Sequence, residues 1–140
     1  MSDIEKAASR LRTVFRFLLR RIDTMAGAGS PTRSEQAVLV WLDEKGAMTP
    51  GDLSAVQKVR PQTMGQTLDS LDRLRWIKRA PHPDDRRRIL ISLTPSGQKA
   101  LAKGRHLRQA WLVSELKKLA PHDRKTLIAA IDILERIVQS

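Results

Sequence analysis

Apolar and small side chains recur through the first 25 residues in alternating steps of four and three: Ile4, Ala8, Leu11, Phe15, Leu18, Ile22 and Met25. That spacing is the seam of a helix packed lengthwise against another helix. The seam is longer than a small core needs, so this segment is expected to meet a second chain as well as its own. Ala26-Gly27-Ala28-Gly29-Ser30-Pro31 ends it, because Gly and Pro disfavour helix interiors. Thr32 and Glu35 then form a T-x-x-E capping box, which opens a helix. Its apolar face is Ala37, Val38, Trp41 and Leu42, and Gly46 closes it.

Thr49-Pro50-Gly51-Asp52 reads as the next helix start: a hydroxyl cap, proline at the first helical position and an acid near the positive end of the dipole. This short helix runs to about Val56. Gln57-Lys58-Val59-Arg60 links it to a helix from Pro61 to about Leu74, with Met64, Thr67, Leu68, Leu71 and Leu74 expected inward. Gln62, Thr63, Gln66, Asp69, Ser70 and Arg73 form the opposite, polar face. Two helices so joined are a helix-turn-helix candidate.

From Ile77 the pattern changes to two short strands joined by a turn that holds an acidic pair and three consecutive arginines, Asp84-Asp85-Arg86-Arg87-Arg88. Thr94-Pro95-Ser96 starts a long helix to about Leu119, whose charges Lys99, Lys103, Arg105 and Arg108 are expected on a solvated face. After Pro121 a last helix runs from His122 to Val138. Leu127, Ile131, Leu134 and Val138 lie on one side of it, and Ile128, Ile133 and Ile137 widen the apolar surface. A helix apolar over so much of its circumference is expected to bury against a second copy. The fold class that follows is mainly α with a small antiparallel β hairpin.

Charge gives this scaffold a partner. Lys and Arg number 26 against 15 Asp and Glu, a net charge of +11, so an anionic partner is expected, nucleic acid first. No apolar run approaches the roughly 18 residues of a membrane span. Asp3 and Glu5 do not suit a signal peptide, so no membrane partner and a cytoplasmic, nucleoid-associated location are expected. The chain has no cysteine and three scattered histidines, which excludes disulfides, thiolate metal sites and thiol nucleophiles. His82, Asp84 and Asp85 offer too few ligands for a structural zinc. With no G-x-S-x-G and no Gly-rich phosphate loop, neither catalysis nor a cofactor is expected.

The hairpin tip carries the sharpest chemistry. On an extended strand Asp85 and Arg87 share one side, so the carboxylate could fix the guanidinium in a single pose for a narrow minor groove. Arg86 and Arg88 would then face phosphates. In the second helix of the pair, Gln62, Thr63 and Gln66 are base-reading candidates, while Lys58, Arg60 and Arg73 would contact phosphates. Gly65 in a helix interior costs about 1 kcal/mol, which suggests a close approach there, such as by a DNA backbone.

From about Thr32 to Leu101 the chain resembles the MarR family of winged helix-turn-helix regulators. The resemblance rests on Asp85-Arg86-Arg87 followed by Leu93-Thr94-Pro95-Ser96-Gly97, on Leu71, and on Thr49-Pro50 with Leu53. It implies one domain over residues 1–140: a winged lobe over about 32–94, with dimerisation helices over about 4–26 and 95–138. It also implies a homodimer that binds double-stranded operator DNA, with each recognition helix in a major groove, each wing in the flanking minor groove, and half-sites about 34–36 Å apart. Many members repress transcription and release DNA on binding a small anionic or aromatic effector. Arg16 and Arg20, one turn apart beside Phe17 and Trp41, are candidates for holding a carboxylate and a ring; a merely solvated helix face is the alternative. Three departures stand out: Arg75 where glycine is usual, Arg60-Pro61 at the helix start, and Gly65-Gln66 on the reading face. A constitutive, low-specificity architectural DNA binder and a winged helix that meets an acidic protein are the other readings left open.

Overall fold

The computed structural model describes residues 1–140. It contains α1 (Asp3–Met25), α2 (Arg33–Lys45), α3 (Pro50–Gln57), α4 (Pro61–Arg73), β1 (Ile77–Pro81), β2 (Ile89–Leu93), α5 (Pro95–Lys118) and α6 (Pro121–Gln139). The helix starts follow from their caps. Thr32 and Glu35 exchange hydrogen bonds as a full capping box, Thr32 N–H to Glu35 Oε1 at 2.8 Å and Glu35 N–H to Thr32 Oγ1 at 3.2 Å. Thr49 and Thr94 each accept the N–H three residues on, from Asp52 at 3.1 Å and Gly97 at 3.0 Å.

The core belongs to the middle of the chain. Val38, Leu39 and Leu42 of α2 pack with Leu53, Met64, Leu68 and Leu71 of the next two helices, then with Ile77, Ile91 and Leu101. Leu39, absent from the expected apolar face of α2, is fully buried, because α2 is enclosed by α4, β2 and α5 rather than lying on one surface. Leu74, expected inward, is 44% exposed: it caps α4 at the point where the chain turns away.

That turn explains Arg75. Trp76 N–H bonds Leu71 O at 3.1 Å and Arg75 N–H bonds Asp72 O at 3.0 Å, the paired bonds of a Schellman ending. The ending puts Arg75 at φ 61°, a left-handed conformation that costs a non-glycine residue about 1–2 kcal/mol. Lys58 closes α3 the same way at φ 54°, with Val59 N–H on Ser54 O at 3.1 Å.

β1 and β2 pair antiparallel with Ile77 opposite Leu93 and Pro81 opposite Ile89. A third segment joins them, since Met48 and Ile91 exchange both backbone hydrogen bonds, at 3.1 and 2.8 Å. The hairpin is thereby anchored to the chain entering α3. α1 and α6 contribute no buried residue from within their spans. α1 lies along α5, with the Arg21 guanidinium 5.8 Å from the Trp111 ring centroid. At the α5–α6 corner Arg124 donates to the carbonyls of Leu116, Lys117 and Leu119 at 3.1–3.2 Å, collecting the free carbonyls at the end of α5. Arg108 is not on a solvated face: it is 8% exposed and donates to Pro31 O at 3.1 Å. Arg105 reaches Asp43 of α2 at 3.7 Å. No helix is long and apolar enough to cross a membrane.

Candidate nucleic-acid interface

The strands stop before the arginines, so residues 82–88 form a loop rather than extended chain. This corrects the expected side-by-side pose of Asp85 and Arg87. Asp85 Oδ1 instead accepts the backbone N–H of Arg87 at 3.0 Å, while the Arg87 Nε stands 3.7 Å away and its side chain is 95% exposed. Asp85 therefore shapes the backbone and holds the exposed guanidinium only through a loose ion pair. The loop is closed by Arg88 N–H to Asp85 O and His82 N–H to Arg88 O, both at 3.0 Å, and Asp84 N–H donates to His82 Nδ1 at 3.1 Å. Arg86, Arg87 and Arg88 all project from this closed loop as exposed side chains.

α4 presents the second half of the surface. Gln62, Thr63, Gln66 and Arg73 are exposed. The N-cap Arg60 is extended at φ −68°, ψ 146° and makes no capping bond through its side chain. Its guanidinium is thus free beside the uncapped first turn of α4, whose N–H groups suit an anion. Open space surrounds the position where Gly65 would carry a Cβ, so nothing within the chain demands glycine there.

Two residues of the expected polar face have internal duties. Ser70 donates to Glu35 Oε2 at 2.6 Å, so the carboxylate that caps α2 also seats α4. Asp69 accepts from Arg79 of β1 at 2.9 Å, fixing the hairpin against the helix. Both partners are far away in sequence, and no spacing rule signals either of them.

The remaining candidates separate. Arg16 and Arg20 come together in a cleft of about 600 Å³ between the end of α1 and the start of α2, with Asp23, Thr24 and Arg33. Phe17 and Trp41 do not line it. Phe17 is 52% exposed, with the Arg16 guanidinium 5.4 Å from its ring centroid, and Trp41 packs against the hydrophobic core. The expected pairing of a carboxylate site with a ring site is therefore not assembled.

The MarR family sequence pattern matches residues 31–88, the lobe and the hairpin tip together. An HTH-type transcriptional regulator of Mycobacterium bovis is 35% identical over 98% of this chain and 91% of its own length. The chain belongs to the MarR family. Among solved structures, a transcriptional regulator of Pseudomonas aeruginosa superposes with a TM-score of 0.85 at 30% identity, over 100% of this chain and 99% of that one. A Staphylococcus aureus MepR variant solved bound to an oligodeoxyribonucleotide shares the fold, with a TM-score of 0.71 at 18% identity over 94% of this chain and 97% of that one. These relatives and this fold are those of transcriptional regulators, not enzymes. In MarR family terms α3–α4 is the helix-turn-helix, α4 the recognition helix and β1–β2 the wing.

Proposed function

We propose that this MarR family regulator acts as a homodimeric, sequence-specific binder of double-stranded operator DNA, a repressor that a small molecule releases. The observation that carries the reading is the wing tip: three exposed arginines on a loop closed by its own hydrogen bonds, beside a recognition helix that exposes Gln62, Thr63, Gln66 and Arg73. Arg87 enters the minor groove, where narrow A·T-rich stretches attract guanidinium. Arg86, Arg88, Arg60 and Arg73 hold phosphates, and Gln62, Thr63 and Gln66 read base edges. A MepR variant of the same fold, solved bound to an oligodeoxyribonucleotide, is consistent with DNA as the partner.

The dimer is supported by surface. A compact monomer of 15.8 kDa exposes about 7,300 Å², whereas this chain exposes 10503 Å². The excess, roughly 3,000 Å², is on the scale that obligate homodimers bury. Exposed Leu11, Phe15 and Leu18 of α1 with Ile128, Ile131, Ile133 and Ile137 of α6 supply the apolar side chains for it.

Fluorescence anisotropy with a selected operator duplex tests the reading. Arg87→Ala is expected to weaken binding by about tenfold per half-site, the worth of one charge-assisted contact. Asp85→Ala, which loosens the loop but removes no contact, is expected to cost less. Parent-like binding by both variants would overturn the role of the wing.

A further inference from the structure

Besides its arginines, the wing loop carries a half-buried imidazole. His82 stands between Pro81 and Pro83, two residues with no N–H of their own. Its backbone N–H donates to Arg88 O at 3.0 Å, the last rung before the tip. Its ring then closes the loop a second time, because Nδ1 accepts the Asp84 N–H at 3.1 Å. Asp85 Oδ1 does the same for the Arg87 N–H at 3.0 Å. Each half of the tip is thus shaped by a side chain that accepts an amide two residues on, one an imidazole and the other a carboxylate.

An imidazole nitrogen accepts a hydrogen bond only when it carries no proton, so this bond requires a neutral His82 with its proton on Nε2. Imidazole is the side chain whose charge ordinarily changes between about pH 5 and 8. Once protonated it donates at both nitrogens, and the Asp84 N–H loses its acceptor. The charged groups about it on the loop are the carboxylates of Asp84 and Asp85 and the guanidiniums of Arg86, Arg87 and Arg88. Of the strands that flank the loop, β2 carries no titratable group. β1 carries Lys78 and Arg79, and Asp69 of α4 holds Arg79 at 2.9 Å. No charge of the loop is paired outside it.

We infer that His82 is a positioning residue of the wing whose proton sets how sharply the protein discriminates its operator. Neutral, it latches the loop and fixes the arginines for one groove shape. Protonated, it releases the loop and adds a charge that every duplex attracts. The inference rests on the proposed operator binding and deepens it. Reading a narrow minor groove depends on where a guanidinium is held, whereas attraction to phosphates is independent of sequence. Unlatching weakens the first and the added charge strengthens the second. As pH falls the protein therefore loses discrimination rather than simply losing binding.

Anisotropy titrations of the full chain with selected operator and random duplexes, at about pH 8 and about pH 5.5, bracket the imidazole range and test this. The operator-to-random affinity ratio of the parent is expected to fall by about fivefold per wing, the worth of one neutral hydrogen bond. The salt dependence of random-duplex binding is expected to steepen by about 0.9 in slope per wing. His82→Asn is the decisive variant, since an asparagine carbonyl accepts an N–H two residues on and does not titrate. It should match the parent's ratio at the higher pH and keep it at the lower. His82→Ala should show the low ratio at both. A parent ratio that does not change overturns the inference. So does a fall that His82→Asn shares, which would assign the pH effect to His106, His122 or another group. In the chain without DNA, the Asp84 amide resonance should move together with the His82 ring as pH is lowered, and a stationary amide overturns the latch whatever the DNA titrations give. Failure to prefer any sequence at either pH, with that amide moving, would overturn operator recognition and leave the latch standing.

Discussion

At the scale of single residues, the same position can serve the fold and the function in opposite directions. Gly65 weakens α4, yet no atom of the chain comes near where its Cβ would be. Gly65→Ala is therefore expected to stabilise the protein by about 1 kcal/mol while weakening operator binding, as thermal denaturation and anisotropy on the same sample will show. Improved stability with unchanged affinity would mean that no DNA backbone approaches there. Arg75 is the converse: it accepts a left-handed backbone to complete the ending of α4, and its side chain stays exposed. That Asp85 and Arg87 meet was legible from their spacing, but their geometry was not. Reading that spacing as strand put both side chains on one side, whereas the loop uses the carboxylate to bind a backbone N–H. Short polar side chains that bond their own backbone two residues on are a property of turns, and a turn read as strand conceals it.

At the scale of elements, the starts of helices were written in the sequence and their lateral contacts were not. Thr32 with Glu35, Thr49 with Pro50, and Thr94 with Pro95 each mark a start because the cap acts within three residues. Glu35 to Ser70, Arg79 to Asp69 and Arg108 to Pro31 join residues 10 to 77 positions apart, where no periodicity applies. Arg108 illustrates the consequence: its charge suggests solvent, and only the space left by Gly104 lets α5 bury it. The Leu93-Thr94-Pro95-Ser96-Gly97 run proves to be a joint between wing and α5. Thr94 Oγ1 donates to Arg75 O at 2.7 Å while accepting from Gly97 N–H, and a Cβ on Gly97 would collide with the Trp76 carbonyl and crowd Leu93. Gly97→Ala is expected to cost at least 1–3 kcal/mol, about the usual penalty of overpacking, measured by urea denaturation. A cost below about 0.5 kcal/mol, typical of neutral surface changes, would show that the joint yields easily.

At the scale of the whole molecule, the chain divides into a lobe that holds all of the core cluster but Leu101 of α5, and long helices of which α1 and α6 bury no residue. The lobe was legible because alternating and helical periods report burial within one chain. The apolar stripes of α1 and α6 were legible too, though their pattern says only that something covers them. Surface area adds the scale of the missing contact, and the +11 charge adds the nature of the outside partner. Both accord with the proposal of two copies presenting two recognition helices and two wings to one duplex. Selection of bound sites from random double-stranded DNA, with the binding stoichiometry and footprint of the winning sequence, tests that account most directly. The expected result is a pseudo-palindrome bound by two chains, with half-sites about 10–10.5 bp apart and an affinity at least about 10³-fold above random DNA at physiological salt. Recovery of no common sequence, with equal affinity for selected and random duplexes, would contradict it.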